Sequence, residues 1–479
     1  MISCRNIHTY STGGIFLRFF MNNFKTIFIT IFQGVEAKNI LRTDIFKTLI
    51  ANPVIRIVFF VNTKDKINFY QRQFNNPRVF YEVVSKTKHG LWQRFFGSLK
   101  FKMINTATID WRRKLAFETH KNLFRFWGGW LLNRIFARRL IRRLYRFLDM
   151  LLIDDSTFNI FFDKYRPVAV ISAHPFDDKE ASLLREAKKR GIKTFGLANS
   201  WDKITGRCAL RVLPDKLIVY NDLVKSDAIN YADLPSKDIF VGGVPHYDQH
   251  INQKKISRSD FLKEIGGDPN KKIVFYAPLA KRFISSRWLM IDYLQSLIEQ
   301  NVIKNAQLFV RFQPNDFVEE DEIKKRENII FDVPGIRFSN YMPIGAGIDW
   351  DLSPKDIEML TNSLYHCDVL VSYASSLCID ASIFNKPVIN INFELTESLS
   401  VYRSPTELYK MTHYLNALKT GAIKLVSNKE EMTNWINKYL ENPAIDENAR
   451  AMLVKEQCSV LDGRAGERTA NFILFSINS

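Results

Sequence analysis

Several short apolar stretches of this sequence end in polar residues able to do chemistry. Ser375 and Ser376 follow the run Asp368–Ser372 (DVLVS) and stand just before a helical pattern that starts at Leu377. Two hydroxyls and the free N–H groups of a helix start form a resting place for an anion. The same serines would equally serve as helix caps, a role worth about 1 kcal/mol. Lys281 and Arg282 follow Tyr276-Ala277-Pro278, and Arg311, Phe312, Gln313 and Pro314 follow the run that ends at Val310. Anion-binding groups at three points of one rim fit a diphosphate, whereas a lone surface arginine is only an ion-pair partner worth 0 to about 1 kcal/mol. In the first half, His174, Asp177 and Asp178 follow Pro167–Ser172 (PVAVIS). Asn199, Ser200, Trp201, Asp202 and Lys203 follow Lys193–Ala198. An imidazole or carboxylate so placed can take the proton of an attacking hydroxyl. Asp202 is the first candidate base and His174 the second, although lone histidines are more often structural.

These residues share a rim only if the apolar stretches are neighbouring parallel strands, because ligands bind beyond the carboxyl ends of such strands. The pattern agrees. Lys25–Gln33, Val54–Asn62, Pro167–Ser172, Lys193–Ala198 and Lys216–Tyr220 are continuous apolar or β-branched runs, and amphipathic helical patterns such as Glu36–Leu49 and Lys179–Arg190 separate them. A second alternation begins at Lys272 and runs through Gln307–Phe312, Ile329–Asp332, Asp368–Ser372 and Pro387–Asn392. Buried strands alternating with helices predict an α/β fold of two Rossmann-like, doubly wound parallel-sheet domains facing a cleft. The expected division is a leader at 1–20, a first domain at 21–245 with a basic helical insertion near 100–152, a linker at 246–271, a second domain at 272–440 and closing helices at 441–479.

With 479 residues, 46% of them hydrophobic and 25% charged, the chain can bury two ordinary cores. Its five cysteines are scattered and never spaced as CxxC, which argues against a zinc site or a disulfide framework and for a reducing cytoplasm. Arg18 and Lys25 interrupt the apolar stretch Gly14–Phe32, so it is too short to span a membrane. It also lacks a small-x-small cleavage site, and Met21 is an alternative start.

The net charge of +18 is concentrated between Lys100 and Asp149. From Trp127 to Leu152, leucines, isoleucines and phenylalanines recur at helical spacing with arginines between them. This basic amphipathic helix is read either as a core-packed helix with a solvated basic face or as a dock on an anionic membrane surface. Nucleic acid is the least favoured partner, because no recognised nucleic-acid module accompanies the patch.

The string Asp368–Ile389 (DVLVSYASSLCIDASIFNKPVI) resembles the donor-domain signature of the CDP-glycerol glycerophosphotransferases, within the superfamily of GT-B glycosyltransferases and UDP-N-acetylglucosamine 2-epimerases. Supporting matches are Gly243-Val244-Pro245 with Asp248, Tyr276-Ala277-Pro278, Arg311 with Pro314, and Asp462-Gly463-Arg464-Ala465 with Glu467-Arg468. Ser200-Trp201-Asp202 stands where that family carries His-Gly-Thr, and Gln313 where it carries a histidine. The resemblance implies a transferase of surface-carbohydrate synthesis that works without metal or cofactor. It would move a sugar or polyol phosphate from a nucleotide-sugar or CDP-polyol donor to a glycan or lipid-linked acceptor, in the cytoplasm or at the inner face of the plasma membrane. Ser375, Ser376, Arg311, Gln313, Lys281 and Asp380 would hold the donor. Asp202 or His174 would act as base, and Gly34, Ser200, Trp201 and Asp178 would line the acceptor side, with Gly34 giving its loop room beside substrate. A non-hydrolysing sugar-nucleotide epimerase and a catalytically inert nucleotide-binding scaffold are the alternatives.

Overall fold

A computed structural model describes residues 24–84, 90–281, 283–284, 287–316, 318–338, 349–395 and 404–479. The expected leader, Met21 and Arg282 lie outside the described residues. The first sheet has seven parallel strands: β1 (Lys25–Thr30), β2 (Ile55–Val61), β3 (Val79–Val83), β4 (Ala169–Ser172), β5 (Lys193–Leu197), β6 (Lys216–Val219) and β7 (Ile239–Val241). Their spatial order is β3-β2-β1-β4-β5-β6-β7. The second sheet is built from β8 (Lys272–Ala277), β9 (Ala306–Arg311) and β10 (Ile330–Asp332). A small antiparallel pair, β11 (Ile336–Arg337) and β12 (Trp350–Asp351), stands apart from it. The second sheet is completed by β13 (Val369–Ser372), β14 (Val388–Ile391) and β15 (Ile423–Val426), in the order β10-β9-β8-β13-β14-β15. Both sheets are therefore parallel and doubly wound, as the alternation predicts. Strand order reverses between β1 and β4 in one and between β8 and β13 in the other, and at such switch points crevices open at the strand ends.

The strands are buried because helices cover both faces. Ile27, Ile29, Ile57 and Phe59 point to one side of the first sheet, and Phe28, Val58 and Phe60 to the other. Two segments depart from the expected domain limits. The stretch 246–271 is not a bare linker: Tyr247, Phe261 and Leu262 pack into the second core, the last two from helix Arg258–Ile265. The final helix, Ala465–Asn478, returns to the first domain, where Ala470 and Ile473 join its core and Phe472 stacks on Phe240. The Asp248 carboxylate accepts the N–H groups of Ala465 and Gly466 at 3.0 and 2.7 Å. Gly242 and Gly243 give this helix its room, since a methyl group on Gly243 (φ +89°) would lie 2.9 Å from the Ala465 Cβ. Two of the motifs behind the family resemblance thus meet at the second crossing between domains.

The basic helical region corrects the sequence expectation. Instead of one helix from Trp127 to Leu152 there are two, Leu123–Phe136 and Arg139–Leu152, joined at Ala137 and Arg138. In the second, Arg142 and Arg146 turn inward and bind the Asp233 carboxylate at 2.6 and 2.8 Å, while Leu140, Leu144, Phe147 and Leu151 face outward. Part of its basic face is thus buried and its apolar face exposed. The expected pattern Glu36–Leu49 is likewise two helices, Gly34–Ile40 and Asp44–Ala51, the second capped by Thr43.

Candidate active site

The loop after β5 faces the second domain. Ser200 Oγ donates to Asp202 Oδ1 at 2.5 Å. Burial pushes the Asp202 carboxyl up, but Lys203, His413 and the Ser200 hydroxyl outweigh it and bring it down to about 2. Asp202 is therefore an anion at any working pH and a weak proton acceptor. His413, in the first turn of helix Thr412–Lys419, brings an imidazole from the opposite domain; its ring centre lies 4.9 Å from that of Trp201. Its Nδ1 is buried with no hydrogen-bond partner among the described residues. Burial lowers its pKa and Asp202 opposes the shift, so at neutral pH the ring is neutral and able to accept a proton.

His174 follows β4 and is 1% exposed, with neither ring nitrogen paired among the described residues. Burial, Lys203 and Arg207 hold its pKa well below the usual imidazole range, with Asp202 opposing. The Asn199 amide is buried and unpaired in the same way. Buried polar groups nearly always find partners. Idle groups on His174, Asn199 and His413 therefore mark this end of the cleft as a place for a polar ligand.

The donor-side residues divide. Ser375 Oγ accepts the Leu377 N–H at 3.2 Å at the start of helix Leu377–Ile383, whose N-cap residue is Ser376. The Ser376 side chain is exposed and makes no hydrogen bond among the described residues. The Ser375 N–H donates to Tyr414 Oη at 3.4 Å, and the Tyr414 ring lies 5.7 Å from Trp201, so the serine turn and the Asp202 loop meet across the cleft. Arg311 ends β9, is buried, and is bound by the Asp332 carboxylate and by the Asp356 carbonyl at 2.8 Å. Asp380 accepts from His250 Nε2 at 2.8 Å and from Tyr247 Oη at 3.3 Å, which fastens the interdomain segment to the second domain. Lys38, from the first domain, is close enough for burial, Asp380 and Arg311 all to act on its pKa, and burial and Arg311 lower it. Beside it Asn39 donates to the Asn199 carbonyl at 3.1 Å and meets His246 Nδ1 at 2.8 Å.

Three expected positions are corrected. Gly34 does not make room for substrate: a methyl group there would sit 2.1 Å from the carbonyl oxygen of Trp350 on β12, so the second domain already fills that space. Around this contact Arg42 pairs with Asp351 at 2.9 Å and Lys66 with Asp349 at 2.6 Å. Asp178 binds Lys100 at 2.8 Å and Arg211 at 2.9 Å, anchoring the helical insertion rather than lining the cleft. Lys281 is held by Glu319, and its backbone N–H donates to Asp316 at 3.1 Å, so it belongs to a local ion-pair network with Arg287. Gln313 is half-buried, and its carbonyl accepts the Asp316 N–H at 3.0 Å.

The sequence reading missed His413, Lys38, Asn39 and His246. Lys38 had a signal, being four residues past Gly34 on the same helix and so on the same face. His413 had little, because it follows no strand.

Beneath the Gln33–Gly34 turn lie two buried carboxyls. Glu180 Oε2 accepts from Thr30 Oγ1, Ser172 Oγ and the His174 N–H, and Glu36 Oε2 accepts the N–H groups of Phe32 and Gln33. The other oxygen of each has no partner among the described residues. Burial raises the Glu180 carboxyl to about 7, and burial together with the Glu180 charge raises Glu36. No group of three or more histidine, cysteine or acidic side chains among the described residues is placed to hold a metal ion.

Two parallel, doubly wound sheets facing a cleft define a GT-B-like α/β protein. The solved structure of UDP-GlcNAc 2-epimerase from Neisseria meningitidis shares this fold, with a TM-score of 0.54 at 11% identity over 94% of this chain and 100% of that one. So does the wall teichoic acid polymerase TagF, with a TM-score of 0.50 at 11% identity over 96% and 91%. In sequence, UDP-N,N'-diacetylbacillosamine 2-epimerase (hydrolyzing) from Legionella pneumophila is 28% identical over 155 residues, which are 32% of this chain. The match spans 36% of that relative's length. The CDP-glycerol:poly(glycerophosphate) glycerophosphotransferase pattern matches residues 198–475, more than half the chain, and the protein belongs to that family.

Proposed function

We propose that the protein transfers a polyol phosphate or a sugar from a nucleotide-activated donor to a hydroxyl acceptor in the cleft between its domains. Family membership supports a CDP-polyol donor. One observation carries the reading: Asp202 and His413 come from opposite domains and share an electrostatic field, while His174 and Asn199 beside them keep unspent hydrogen-bonding groups. With a CDP-polyol, the acceptor oxygen bonds to the β-phosphorus, the bond from that phosphorus to the bridging oxygen breaks, and CMP leaves with the electron pair. His413 takes the acceptor's proton. Asp202 is too weakly basic for that task and instead steadies the imidazolium that forms. Ser376 and the N–H groups at its turn, with Lys38 across the cleft, receive the leaving phosphate. No step calls for a metal ion. The likeness to epimerases favours a second reading, in which a bound UDP-sugar is rearranged with no acceptor.

The test is release of CMP or UDP from candidate donors, with and without a polyol-phosphate acceptor. Acceptor-dependent release is expected. In Asp202→Asn the loss of the charge that raises the His413 pKa moves the acidic limb of the kcat/KM profile to lower pH, and kcat falls about 10²-fold. Altered sugar from UDP-GlcNAc with no acceptor present would establish the epimerase reading instead. Full activity in His413→Ala would overturn the assignment of the base.

A further inference from the structure

Where the chain first crosses between domains, the turn Pro245–Tyr247 brings His246 against helix Gly34–Ile40 of the first domain. The hydrogen bonds fix which ring nitrogen carries the proton. Asn39 Nδ2 donates to the Asn199 carbonyl at 3.1 Å, so Asn39 Oδ1 is the atom that meets His246 Nδ1 at 2.8 Å, and an oxygen there requires a proton on that nitrogen. Nε2 is left with a lone pair and has no hydrogen-bond partner among the described residues. Burial, Lys38 and His250 hold the imidazole well below its usual pKa range, so the ring is neutral at working pH. Two more unspent groups stand beside it. Tyr220, just after β6, is 8% exposed, and its ring centre lies 6.1 Å from that of His246. Its Oη, close enough to Asn39 for the amide to act on it, completes no hydrogen bond among the described residues. The Lys38 ammonium makes no ion pair or hydrogen bond among the described residues, although Asp380 and Arg311 of the second domain act on it.

We propose that His246 Nε2 reads a hydroxyl of the nucleotide-activated donor, one carried close to the diphosphate on the ribose or on the activated polyol. The chemistry of the group narrows the ligand. An unprotonated ring nitrogen accepts and cannot donate, so a hydroxyl satisfies it, whereas a diphosphate oxygen at neutral pH offers no proton. The Lys38 ammonium beside it asks for the opposite partner, an anion. A lone pair next to a cation therefore matches a hydroxyl next to a phosphate, and the Tyr220 hydroxyl can give or take a proton with either. His246 is a specificity residue and not the base, since the acceptor's proton goes to His413 in the opposite wall, beside Trp201. Asn39 is its positioning residue: without that oxygen the imidazole is free to carry its proton on Nε2 and repel the hydroxyl it now accepts. The inference rests on the donor reading given above and adds to it which side chain selects the donor.

The experiment is calorimetric titration of the full chain with CDP, 2′-deoxy-CDP and 3′-deoxy-CDP, with the uridine series in parallel, and with CDP-glycerol against CDP-propanol, which lacks the free polyol hydroxyls. In the wild type one of these deletions is expected to weaken binding about tenfold, as befits a buried acceptor left without its donor. In His246→Phe the same deletion should change affinity by less than about twofold, because the coupled pair is already broken. Asn39→Leu, with His246 in place, should lose most of the discrimination as well. Each ratio is taken within one variant, so a general loss of affinity cancels, and melting temperatures confirm that the variants fold. The ribose and polyol arms name the hydroxyl. Wild-type protein that binds every analogue as tightly as its parent, or discrimination that survives in His246→Phe, would overturn the proposal and leave the nucleotide reading standing. A kcat lost equally on every donor with discrimination unchanged would make His246 a base instead. Failure of every nucleotide to bind would overturn both readings.

Discussion

Replacing Gly34 by alanine tests whether β12 seats the second domain on the first. The added carbon would lie 2.1 Å from the Trp350 oxygen, while ordinary contact begins near 3.4 Å, so this carbonyl has to retreat by about 1.3 Å. It belongs to a backbone and cannot swing aside. Because Asp349 and Asp351 flank Trp350, the retreat also stretches their ion pairs with Lys66 and Arg42. A shift of about 1 Å in reacting groups held by two domains costs about 10²-fold in rate. Donor turnover in Gly34→Ala should fall by that order, with a lower melting temperature. Gly128→Ala, where nothing lies within 4 Å, serves as the control and should leave turnover unchanged without lowering the melting temperature. Full turnover with an unaltered melting temperature in Gly34→Ala would refute the idea that this contact sets the cleft.

Asp233→Ala strands two buried guanidiniums, Arg142 and Arg146, and should cost about 3 to 5 kcal/mol in urea unfolding. Arg139→Ala, which removes a largely exposed partner 3.9 Å from the same carboxylate, should change stability by less than about 0.5 kcal/mol. The Glu180 carboxyl titrates in the folded protein near 7, above its unfolded value, so the native state binds the extra proton and its stability falls as pH rises from about 5 to 8. Glu180→Gln, neutral throughout, should flatten that decline, and an unchanged pH slope of the melting temperature would exclude the pair as its source.

The central strands of both sheets were legible because each is a continuous apolar run. β3 and β15 were not, and both are edge strands, where half-buried residues such as Glu82 and Lys424 break the run. Asp202, His174 and Trp201 lie just after strands, where the sequence puts them. Gly34, Asp178 and Lys281 were misjudged because a strand end shows that a residue is near the rim but not which partner reaches it: Trp350, Arg211 and Glu319 lie 316, 33 and 38 positions away. The amphipathic period at 139–152 located a helix but left its orientation open, since Asp233, which draws the arginines inward, lies outside the window.

The return of helix Ala465–Asn478 to the first domain bears on how the chain folds during synthesis. Its Phe472 covers Phe195 and Phe240, so that part of the first sheet stays bare while the second domain is being made. At roughly 5 to 20 residues per second, the stretch after β7 occupies the ribosome for about 10 to 50 s. Over that interval the first domain presents an open aromatic surface to chaperones. The second domain can assemble around its own sheet before the first is closed.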